Sequence, residues 1–171
     1  MNHTKKVPRF KLINLILLFG AMMIYQSCGV YSFTGASISP EIKTISIQRF
    51  PNNAQLVEPT LSEKFTVALR EKFTSQTNLI IVERGGDLQI DGAITGYATT
   101  PVSIQANQTA ASNRLTITVK VSYTNTFDES KDFINTNFSR YEDYPSSQNL
   151  ADVQATLIDE IFEMLVDDIF N

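Results

Sequence analysis

Between Arg114 and Asn125 the chain reads RLTITVKVSYTN, and its side chains separate into two sets. Leu115, Ile117, Val119, Val121 and Tyr123 fall on one side of an extended strand, and Thr116, Thr118, Lys120 and Ser122 on the other. One face of such a strand must be covered while the other meets water. Whatever else the chain builds has to supply that cover. The C-terminal segment has the right shape for it: Leu150, Val153, Leu157, Ile158, Ile161, Phe162, Leu165, Val166 and Ile169 recur at helical spacing as one broad apolar stripe.

The remaining elements can be read the same way. In IKTISIQRF, Ile45 and Ile47 alternate with Ser46 and Gln48, which predicts a strand with one buried face that PNNA then breaks. Pro59 suits the first turn of a helix. Leu61, Phe65, Ala68, Leu69 and Phe73 then form one stripe, with Glu63, Lys64, Arg70, Glu71 and Lys72 on the solvated side. Leu79 to Val82 is short, aliphatic and β-branched and reads as a buried strand. From Asp87 onward Leu88, Ile90, Ile94 and Tyr97 mark a longer strand, and Gly92 and Gly96 predict bulges or close backbone approach within it. TTPVSIQANQTAASN reads as a long hairpin connection, FDESKDF as a turn and FINTNFSRYEDY as a returning partner strand. The expected fold is α+β: a two-layer sandwich with a mixed or antiparallel sheet of about four to five strands, two amphipathic helices packed on one face, and the order β-α-β-β-β-β-α.

The beginning of the chain differs in character. MNHTKKVPRFK is basic and Leu12 to Tyr25 is apolar with one interruption at Asn14, the pattern of a secretory leader. The apolar run is shorter than the ~20 residues of a membrane-spanning helix. Ser27, Cys28 and Gly29 follow, and IYQSCG resembles a bacterial lipobox, in which cleavage falls between Ser27 and Cys28 and the sulfur takes lipid. Cys28 is the only cysteine, so it has no disulfide partner within the chain. Each buried CH₂ of an acyl chain contributes about 0.8 kcal/mol, so several chains, palmitate among them, anchor firmly where one holds weakly. The expected organisation is a signal peptide over 1–27, a lipidated Gly- and Ser-rich tether over 28–40, and a folded domain over 41–171.

Removing residues 1–27 takes four of the 14 basic residues and none of the 18 acidic ones, leaving ten against 18 and a net charge of −8. An acidic body of this kind is a poor ligand for a phosphate backbone, so no nucleic-acid partner is expected. The single histidine, His3, leaves with the leader. Without it, and with Cys28 acylated, the chain has neither a Ser-His-Asp nor a Cys-His system and lacks the usual transition-metal ligands, so no enzyme, cofactor or metal is expected. Asp87 and Asp91 read as solvated strand residues rather than a catalytic pair, and Asp167 and Asp168 as solvent-facing. ERGGDLQIDG has glycines but no phosphate-loop pattern. The polar side of the 114–125 strand is the candidate contact surface, with Arg114 and Lys120 as its cations.

CGVYSF after the leader, IKTISIQRFPN, GDLQIDGAITGY, NRLTITVKVSYTN and the closing LIDEIFEMLVDDIFN resemble, in order, the LPS-assembly lipoprotein family LptE in its Bacteroidetes-like form. The resemblance spans nearly all of 28–171. It implies a non-enzymatic lipoprotein on the periplasmic face of the outer membrane that plugs the LptD β-barrel, assists its assembly and takes part in delivering lipopolysaccharide to the cell surface. Arg114 and Lys120 are candidates for lipopolysaccharide or barrel contact on charge and strand position. The competing expectation is a free periplasmic module for lipid or glycan, which requires an apolar pocket between sheet and helices.

Overall fold

The computed structural model describes residues 38–56, 58–102 and 111–171. Its elements are β1 (Thr44–Ile47), α1 (Leu61–Gln76), β2 (Ile80–Val82), β3 (Leu88–Val102), β4 (Ser112–Asn125), a single 3-10 turn (Glu129–Lys131), β5 (Phe133–Pro145) and α2 (Leu150–Phe170). The five strands make one sheet in the order β2-β1-β3-β4-β5. β1 runs parallel to both β2 and β3, whereas β3, β4 and β5 form an antiparallel meander. The fold is the expected mixed α+β arrangement.

Both helices bury their apolar stripes against one face of the sheet. Leu115, Ile117, Val119 and Val121 of β4 are wholly buried there together with Leu61, Phe65, Leu69, Ile161 and Leu165 of the helices. Phe50, Phe65 and Phe162 interlock edge to face, with ring centres 5.1 Å apart at each step, so one aromatic chain ties the post-β1 loop to α1 and α2. Two small polar side chains on α1 close the same seam. The Ser62 hydroxyl donates to the Phe50 carbonyl (2.6 Å) and Thr66 Oγ1 accepts from the Phe50 amide (3.1 Å), so the buried hydroxyls and the loop backbone satisfy one another.

The glycines of ERGGD explain how two parallel strands can flank β1. Parallel neighbours ordinarily need a crossover of a dozen residues or more, yet β2 leads to β3, on the other side of β1, through Glu83 to Asp87 alone. The loop manages this by pressing its backbone onto β1. A Cβ at Gly86 would lie 2.5 Å from the Ser46 amide nitrogen and 2.7 Å from the Ile45 carbonyl carbon, and Gly85 takes the left-handed φ of 66° that glycine adopts without strain. Asp87 pins the end of the crossing, its carboxylate accepting from the Lys43 and Thr44 amides at 2.8 and 2.9 Å. Those amides hold the carboxyl below its ordinary pKa.

Both expected consequences of the β3 glycines are present. The β3–β4 register shifts between Ile94 and Gly96, which marks a bulge. At Gly92 any side chain would collide with the Lys120 carbonyl, and would come 2.7 Å from the Phe50 ring.

The structure departs from the sequence reading in four places. β2 is a three-residue edge strand, with Ile80 65% exposed, instead of a buried one. Its aliphatic run carries no information about its place in the sheet, and the outermost position next to β1 leaves one edge and part of its surface in water. Ser46, read as facing water, is buried because the Gly85–Gly86 crossing covers it. The β3–β4 hairpin extends further than its polar sequence suggests, with Ala98–Val102 pairing with Thr116–Ser112. Pro101 is tolerated there because β1 ends far below and β3 has only β4 beside it; residues 103–110 of the expected connection lie outside the described residues. Finally, Pro59 precedes the N-cap residue Thr60 and so stands just outside α1.

Candidate functional site

The helices leave the opposite face of the sheet open, and register decides what it displays. From β4 come Arg114, Thr116, Thr118, Lys120 and Ser122; from β5, paired directly across, come Asp143, Tyr141, Ser139 and Asn137. From β3 come Thr100, Ala98, Gly96, Ala93 and Asp91. The face is hydroxyl-rich, its third strand is nearly bare of bulk, and a hydrogen bond of 2.9 Å joins Thr118 to Ser139.

The two sequence-predicted cations share this face but not the same state. Arg114 makes a two-pronged pair with Asp143 across the strands, Nε to Oδ1 at 2.7 Å and an Nη to Oδ2 at 2.9 Å, while its guanidinium lies 3.6 Å from the Tyr141 ring centre. Hydrogen bonding to Asp143 raises the Arg114 pKa and the reciprocal bond lowers that of Asp143. Arg114 is thus a fixed, neutralised plate on top of Tyr141. Lys120 is exposed, and no carboxylate pairs with it among the described residues. It is the cation this face can offer to an anionic group. Ser27 and Cys28 lie outside the described residues.

The carboxylates considered for chemistry do not converge into a site. Asp87 is occupied by the Lys43 and Thr44 amides, and Asp91 stands on the open face opposite Ser122. Asp167 and Asp168, read as solvent-facing, instead tie α2 to its neighbours. Lys72 of α1 lies 2.5 Å from Asp167, and Arg140 of β5 grips Asp168 through two contacts of 2.6 and 2.5 Å. Each cation offsets an acid that would otherwise oppose the dipole at the C-terminal end of the helix. Among the described residues no group of three His, Cys, Asp or Glu side chains is placed to hold a metal ion. No helix there is long and apolar enough to cross a membrane.

Tyr141, Ser139 and Asp143 were not singled out from sequence, since β5 alternates weakly: Arg140 and Glu142 occupy its helix-facing side. No signal in the sequence sets Asp143 opposite Arg114, because the β4–β5 register shifts between Val121 and Tyr123 and cannot be counted from the turn.

No curated protein sequence matches the chain. Among solved structures, a hypothetical protein of Chlamydia trachomatis is similar with a TM-score of 0.50 and 8% identity, over 75% of this chain and 96% of that one. A minor lipoprotein of Acinetobacter baumannii (TM-score 0.49, 11% identity, 76% and 91% covered) and the rare lipoprotein B of Shewanella oneidensis (0.43, 14%, 74% and 87%) are similar at lower scores. The sequence profile described as "LptE: Lipopolysaccharide-assembly" matches residues 42–171, which takes in every strand and both helices among the described residues. The chain therefore belongs to the LptE family of lipopolysaccharide-assembly lipoproteins.

Proposed function

We propose that the protein is held at the periplasmic face of the outer membrane by acyl chains on Cys28, with residues 1–27 removed. There it plugs and helps assemble an LptD-like β-barrel, and so takes part in moving lipopolysaccharide to the cell surface. The observation that carries this reading is the family match over the whole folded region. The open sheet face supports it. Small hydroxyl-bearing side chains and a self-neutralised Arg114–Asp143 pair present a nearly uncharged polar surface, suited to the polar interior of a barrel. On that surface Lys120 is the residue proposed to meet a lipopolysaccharide phosphate, and Arg114 is proposed to hold Tyr141 in place for barrel contact.

The reading as a free carrier of lipid or glycan calls for a cavity between the two layers, and there the Phe50, Phe65 and Phe162 rings interlock with fully buried Ile45, Ile47 and Ile161. That packing favours the plug. The anchor is tested by labelling cells with a tagged fatty acid: the wild-type chain takes the label and fractionates with the outer membrane, and Cys28→Ser takes none and keeps its leader. Equal labelling of the two would overturn the anchor.

A further inference from the structure

On the far side of the helix layer, away from the open sheet face, α1 and α2 leave a groove of about 670 Å³. Its floor is apolar, built from Val67, which is 39% exposed, with Ala68, Phe162 and Val166. Its walls are unequal in charge. α2 carries six carboxylates and no Lys or Arg in its 21 residues, so every cation in the groove comes from α1. Lys64 is engaged by Asp159 at 2.8 Å and Lys72 by Asp167 at 2.5 Å. Glu71 and Glu163, on opposite walls, are exposed and have no ion-pair partner among the described residues. Four carboxylates thus face two ammonium groups that are already paired.

We infer that this groove docks a basic peptide segment of a partner protein, with Lys or Arg side chains on Glu71 and Glu163 and one or two apolar side chains on the Val67–Phe162 floor. Charge complementarity selects the occupant. The excess of carboxylates repels phosphate, lipid A and an anionic membrane surface. The donors are not gathered for a metal ion. The groove also runs from Lys64 to Gln76, roughly 18 Å at 1.5 Å per helical residue, which is the reach of several peptide residues and more than a single small cation would fill. The inference does not depend on the barrel reading, because the groove and the open sheet face lie on opposite sides of the molecule.

The test uses the full chain in its own cells with a photo-crosslinking amino acid in place of Val67, and identifies the captured peptide by mass spectrometry. The expected result is one partner segment of net positive charge, with the adduct reduced about tenfold or more by Glu71→Lys together with Glu163→Lys. Glu163→Gln, a milder change at an exposed position, should give an intermediate loss, and thermal melts of all variants show whether they fold as the parent does. An adduct with lipid, with a second copy of this chain or with a neutral or acidic segment would overturn the inference. So would no adduct at all, or one that survives both charge reversals in a folded variant.

Discussion

The two faces of this sheet are made by alternate residues of the same strands, one position apart, and they have opposite properties. Along β4, Leu115, Ile117, Val119 and Val121 are wholly buried under the helices, while Thr116, Thr118, Lys120 and Ser122 between them stay in contact with solvent. The covered face holds the fold together by apolar burial and ring packing. On the open face, polar side chains have found partners within the face itself, Arg114 with Asp143 and Thr118 with Ser139. The covered face therefore leaves little room for change, whereas the open face can be altered without touching what stabilises the domain.

The sharpest way to break this contrast is to attack the covered face. Phe65→Ala removes the ring that contacts both Phe50 and Phe162 and should cost about 3–5 kcal/mol, lowering the melting temperature by roughly 10–20 °C. A loss below about 1 kcal/mol, measured by urea denaturation, would mean the aromatic chain is not the seam between loop and helices.

A smaller effect is expected where the sheet is pinned at its end. Asp87 has a lowered folded-state pKa, so its ionised form is favoured in the native protein. Its contribution is fully present above the ordinary carboxylate pKa of about 3.8 and is lost as pH falls through the depressed value. Asp87→Asn should then be less stable than the parent at neutral pH, with the difference shrinking on acidification through that range. A difference that stays constant from pH 7 down to about 2.5 would show that the charge is not what the Lys43 and Thr44 amides stabilise.

The smallest effect on stability belongs to the open face. Lys120→Glu should leave unfolding unchanged within about 0.5 kcal/mol, yet weaken capture of lipopolysaccharide by about threefold or more in a pull-down. Undiminished capture would remove Lys120 from the contact.

Much of this architecture was legible because it rests on periodicity. Two-residue alternation placed β3 and β4, and the apolar stripes placed both helices and fixed which side of each faces the sheet. The strand order is a different matter, because it depends on which edges meet. Nothing in Leu79–Val82 says that it lies outermost, and nothing in ERGGD says that its backbone crosses β1. The candidate contact face was legible only as far as β4. Arg114 and Lys120 looked equivalent as two cations on one strand. They became different once the register of β5 brought Asp143 and Tyr141 beside Arg114 and only Asn137 beside Lys120. The α1–α2 groove was hidden for the same reason: Lys64, Glu71 and Lys72 read as a solvated helix face, and they were, until α2 supplied the opposing acids.

Co-isolation decides whether the open face is seated against an outer-membrane barrel, as proposed. A C-terminally tagged chain is extracted from outer membranes in mild detergent beside a variant carrying Thr116→Arg and Thr118→Arg, with bulk and charge placed in the middle of that face. The parent should bring down one large β-barrel in near-equal amount, and the variant, folded and lipidated, little or none. A parent that brings down no barrel, or a variant that brings down as much as the parent, would contradict it.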